Sequence, residues 1–145
     1  MSEVISRAPG GGFVFTRPGT PLTPDQTDML LQHVNNELER TTDLVAEARK
    51  RLATAQEAYK RAEAKLLLSE DCPRVGRAAG AVTAAERDAW VLRHLAAEWR
   101  AQHEAEVLLT IATDNAWKVK DQLSLVQSLN NNAQSAANGY RGSGR

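Results

Sequence analysis

Residues 23–68 read TPDQTDMLLQHVNNELERTTDLVAEARKRLATAQEAYKRAEAKLLL, and this stretch decides the fold. Leu31, Val34, Leu38, Thr41, Val45, Ala48, Leu52, Ala55, Tyr59, Ala62 and Leu66 follow one another at alternating steps of three and four. Such spacing places one continuous stripe on a helix that lies along another helix. The stripe alternates in size. Leu38, Val45, Leu52, Tyr59 and Leu66 form a large row, and Thr41, Ala48, Ala55 and Ala62 a small one. Small residues every seven positions let two backbones approach closely. Thr23, Pro24 and Gln26 supply a cap, a first helical residue and a capping-box partner. Glu47 and Arg51, and Glu57 and Arg61, are acid-to-base pairs four apart, suited to an exposed face. The spacing predicts a first helix over 24–69. Roughly 45 residues of helix would be about 68 Å long, and a helix of that length needs a partner.

The partner lies further along the chain. Pro73, Gly76 and Gly80 end the first run and allow a reversal over a tip at 70–82, with a helical turn expected at 75–79. Thr83 and Glu86 form a second capping box, which starts a helix expected over 83–130. Its apolar residues fall into two sections. Ala85, Ala89, Leu92, Ala96 and Trp99 make the first; Ala105, Leu109, Ala112, Ala116, Val119, Leu123 and Val126 make the second. A change of register near Gln102 and His103 reads as a stutter. Reversal about Gly76 sets Leu66 near Arg87, Tyr59 near His94, Val45 near Leu108 and Leu31 near Gln122. The expected fold is all-α, a long antiparallel two-helix hairpin of coiled-coil type, with disordered tails at both ends.

Those tails differ in character. Residues 1–22 hold Pro9, Pro18, Pro21 and Gly10-Gly11-Gly12, and read as a flexible arm. Phe13-Val14-Phe15 is its one apolar cluster. Two readings stand for Phe13 and Phe15: a patch that folds back on the helices, and a docking peptide for a partner. Residues 131–145, rich in Asn, Gln, Ser and Gly, read as a disordered polar tail.

Composition excludes several function classes. The chain has 145 residues, 18 Lys+Arg and 18 Asp+Glu, and a formal net charge of zero. That balance disfavours a protein whose main task is to coat nucleic acid or an anionic membrane. The one cysteine, Cys72, has no internal partner, which fits a reducing cytosol or a chain indifferent to redox. No apolar run approaches the roughly 20 residues of a bilayer span, and no signal-peptide core is expected at the N-terminus. The expected location is the cytoplasm.

No catalytic, cofactor or metal constellation emerges. His94 with Glu98, and His103 with Glu106, share helix faces. Neither pair has the Glu-x-x-His order of a di-iron bundle, because Val91 and Arg100 occupy the required positions. The candidate interaction residues are Trp90, Trp99 and Trp117, three tryptophans on one helical run, since tryptophan brings large contact area at low entropic cost. Arg49, Lys50, Arg51, Lys60 and Arg61 form the best basic strip, interleaved with Glu47, Glu57 and Glu63, so a solvated face is the favoured reading. Leu30, Leu44, Leu67, Leu68, Trp90, Ile111 and Trp117 lie partly off the seam. This surplus predicts a homodimer or higher homo-oligomer.

VTAAERDAW at 82–90, LSLVQSL at 123–129, and the Ala-Tyr-x-x-Ala spacing of Ala58, Tyr59 and Ala62 carry a resemblance. Residues 44–129 resemble small helical-hairpin proteins encoded by tailed phages and prophages, notably of actinobacteria. The resemblance implies a phage-encoded intracellular accessory protein and supplies no functional residue; the expected protein is non-enzymatic, in the host cytoplasm, with the virion left open as a location. Two functions follow as expectations: an adaptor or scaffold that binds another protein, and, as the alternative, an accessory of DNA metabolism acting on nucleic acid or its processing enzymes.

Overall fold

The structure, a computed structural model, describes residues 5–9, 13–15 and 22–142. It is predominantly helical. Strands β1 (Ile5–Arg7) and β2 (Phe13–Phe15) precede helices α1 (Pro24–Leu67), α2 (Ala84–His94) and α3 (Ala96–Gly142). The chain divides into two compact units, one formed by Met1–Ala46 with Ile111–Arg145, the other by Glu47–Thr110.

In the first unit, α1 begins as the sequence requires. The Gln26 side chain accepts from the Thr23 N–H at 3.0 Å, and the Thr23 hydroxyl accepts from the Gln26 N–H at 3.3 Å. Leu30, Val34, Val119 and Val126 are buried together, and Leu22, Leu31, Leu38 and Leu123 pack against them. Leu30, read as surplus to the seam, is only 2% exposed.

A polar contact closes this core. The buried Thr27 hydroxyl lies 2.7 Å from the Pro24 carbonyl and 2.8 Å from the Asn130 side-chain amide. Both acceptors are oxygens, and three-centre bonds are common at helix ends. The hydroxyl proton is therefore shared between the Pro24 carbonyl and Asn130 Oδ1. Reversal about Gly76 would have set Thr27 against Val126, so the observed register differs here by about one helical turn.

Within the stretch expected to be a flexible arm, residues 5–7 and 13–15 form two short strands, while Gly10, Gly11, Gly12, Pro18 and Pro21 lie outside the described residues. β1 and β2 pair antiparallel, with Ile5 opposite Phe15, Ser6 opposite Val14 and Arg7 opposite Phe13. Arg7 also reaches the buried Glu37 carboxylate of α1 at 2.5 Å. An ion pair with one partner out of water is screened less than its surface counterparts.

At the far end of α3 the helix continues to Gly142 rather than stopping at 130. Residues 143–145 of the expected tail lie outside the described residues.

In the second unit, α1 ends at Leu67, within two residues of its expected end, and the Ser69 hydroxyl donates to the Leu66 carbonyl at 2.7 Å. The connection that follows has no helical turn at 75–79. Instead, β-branched Val75 and Val82 form a parallel bridge, in which Val82 N–H donates to Arg74 O at 3.0 Å and Gly76 N–H to Val82 O at 3.3 Å. The bridge closes because Gly80 adopts φ 84°, a region open to glycine and strained for other residues.

Thr83 then caps α2 with the full capping box. The Thr83 N–H, and after it the Thr83 hydroxyl, donate to the Glu86 carboxylate and hold it below the usual range.

The second helical run is not one helix. It is interrupted at Leu95, with φ −105° and ψ 24°. His94 Nδ1 lies 2.8 Å from the Trp90 carbonyl, one turn before the break. The bonds on either side persist, Leu95 N–H to Val91 O at 3.0 Å and Trp99 N–H to Leu95 O at 2.8 Å.

The inward face of this run also differs from expectation. Ala85, Ala89, Leu92, Ala96 and Trp99 are exposed. Val91, Leu95 and Ala105 are buried instead, with Glu98, Gln102 and Leu109 partly buried. These positions continue the four-three steps without a stutter into Ala112, Ala116, Val119, Leu123, Val126 and Asn130. Glu98 and Gln102 occupy seam positions with polar ends, and therefore look like surface in a count of apolar residues.

Candidate interaction surfaces

The three tryptophans have different environments. Trp90 is partly buried, and its ring lies 4.2 Å from the His94 ring at a tilt of 40°. Trp99 is 47% exposed and stacks on His103, with 5.3 Å between centroids and 9° between planes. Both pairs arise from the spacing Trp-x-x-x-His, which sets rings one turn apart on a helix. Trp117, in the other unit, is 59% exposed, and the Lys120 ammonium lies 4.7 Å from its ring centroid.

Phe13 and Phe15 sit at the ends of β2, opposite Arg7 and Ile5. Their side chains lie outside what the structure describes.

The basic strip is a solvated face. Arg49, Lys50, Arg51, Lys60 and Arg61 are all exposed. Arg51 pairs with Glu47 at 2.6 Å and Arg61 with Glu57 at 2.5 Å, so half-neutralised charges line it. Tyr59, between the two pairs, is partly buried. Burial, and then the Glu63 charge, push its hydroxyl above the ordinary value.

Among the described residues no group of three His, Cys, Asp or Glu side chains could hold a metal ion. His103 faces Glu106 at 3.7 Å. Cys72 is a partly buried free thiol in the connection after α1. No described helix is long and apolar enough to cross a membrane.

One feature has no counterpart in the sequence reading. A groove of about 330 Å³ opens in the first unit, lined by Leu30, Val34, Gln122, Leu125, Val126 and Leu129, among others. Leu125 is 65% exposed and Leu129 44%, whereas Leu30 and Val34 lie beneath at 2% and 0%. The signal was present in the charge pattern. From 122 to 140 the chain contains no Asp, Glu, Lys, Arg or His.

No family model, no curated protein and no solved structure matches this chain.

Proposed function

We propose that this protein is a non-enzymatic adaptor, a helical hairpin of the kind tailed phages encode, which binds another protein in the cytoplasm of the cell that makes it. The observation that carries the reading is the exposure of Trp99 and Trp117. Each is large, apolar and braced by a neighbour one turn or less away, and each stays at the surface while Leu, Val and Ala fill the seam. Exposed, pre-positioned tryptophans are the residues most often found at the energetic centre of a protein interface.

A tagged full-length chain, incubated with lysate of its native host, tests the reading. A defined protein should be captured at low and high salt alike. Trp99→Ala or Trp117→Ala should weaken capture by about 30-fold, in line with a loss of about 2 kcal/mol at a hot spot. Capture of nucleic acid that falls steeply with salt, and that Arg49→Ala and Lys50→Ala reduce, would favour the DNA-metabolism alternative instead.

A further inference from the structure

We propose that residues 122–140 of α3 dock antiparallel against the same stretch of a second copy of this chain, each copy seating Leu125 and Leu129 in the other's apolar groove. This stands apart from the adaptor reading, which rests on other residues.

Three observations point to a second copy as the occupant. The first is charge. A two-fold interface brings a surface against itself, so any patch with net charge meets its own sign. The chain has 36 charged side chains, 18 of each sign, yet none falls within 122–140. This stretch can therefore face its own copy without repulsion along its length.

The second is periodicity. Gln122, Leu125, Leu129, Asn132, Ala136 and Tyr140 follow at steps of three and four, beside the seam that contacts α1. Leu125 and Leu129 protrude from the rim of the groove that Leu30, Val34 and Val126 underlie. One surface thus carries both the projecting side chains and the recess that fits them. Asn132 lies in the lining. A polar residue at such a position selects one register and a small assembly over open-ended association.

The third is the end of α3. Residues 134–140 are helical, and every one of their side chains is exposed. The run is made of Gln, Ser, Asn, Gly, Tyr and two alanines, mostly poor helix formers. A helical end of that composition gains stability from packing, not from propensity. A partner helix laid along 122–140 supplies the packing.

The full-length chain should sediment at micromolar concentration as a dimer, twice the 15.8 kDa of one chain. Its self-association should change little between low and high salt. Leu125→Glu with Leu129→Glu should weaken it at least ~100-fold by placing like charges across the two-fold axis. Both sites are exposed within the chain, so circular dichroism should retain the helical signal of 24–120. Leu108→Glu, at another exposed apolar site of α3, should leave the dimer intact. Hydrogen exchange at 134–140 should be slowed in the unaltered chain and fast in the double variant. A monomer for the unaltered chain, a dimer that survives both substitutions, or a groove filled by a different protein would each overturn the proposal.

Discussion

At the scale of single residues, the first helix was the most legible part of the chain. All eleven positions assigned to its seam, from Leu31 to Leu66, are buried or partly buried. An unbroken three-four pattern leaves a helix only one stripe to bury. The second run was harder because side-chain type and position disagree there. Glu98 and Gln102 sit inward by position and outward by chemistry, and Trp99 and Leu92 do the opposite. Long polar side chains can bury their stems at such sites while their ends reach water. The small row offers a direct check on the seam. Ala55 is partly buried, and Ala53, two positions away, is exposed. Ala55→Leu should overpack the seam and cost about 1–3 kcal/mol. Ala53→Leu should cost little, since leucine is nearly as good a helix former as alanine. Thermal melts of the two variants decide the matter. Equal melting temperatures would remove Ala55 from any tight interface.

At the scale of elements, helix starts were legible and helix interruptions were not. Both capping boxes stand where Thr23 and Thr83 place them, because a cap is a local hydrogen-bond pattern. The break at Leu95, at φ −105° and ψ 24°, falls where neither Pro nor Gly marks it, and no spacing rule encodes it. The bridge between Val75 and Val82 needs Gly80 at positive φ, and Gly80 alone signals a turn without naming its type. The second cap allows a quantitative test. Thr83→Ala should destabilise the protein by about 0.5–2 kcal/mol. The Glu86 carboxylate is held below its ordinary value of 4.5 by the Thr83 N–H and hydroxyl. Its contribution is therefore complete above the unfolded value and is lost as pH falls through the lower, folded one. Denaturant melts of the unaltered chain and of Glu86→Gln should differ at neutral pH, and the difference should shrink in acid. A gap that widens as the pH drops would contradict the assignment.

At the scale of the whole molecule, the two compact units have no linker between them. α1 runs without interruption through Ala46 and Glu47, and α3 through Thr110 and Ile111, the points at which the units divide. To unfold one unit alone, two helices must fray at mid-length, each exposing carbonyl and N–H groups that the next turn would otherwise satisfy. Helix propagation is favourable once a nucleus exists, so such frayed ends gain little compensation. The expectation is a single cooperative transition. The tryptophans provide the probes, since Trp99 belongs to one unit and Trp117 to the other. Leu30→Ala, in the core of the first unit, should cost about 2–5 kcal/mol. In urea, followed by fluorescence in two backgrounds that each retain one of these tryptophans and replace the others by phenylalanine, both midpoints should fall together. A midpoint that drops at Trp117 while Trp99 stays in place would mean that the units melt separately. The continuity of α1 and α3 would then be structural without being cooperative.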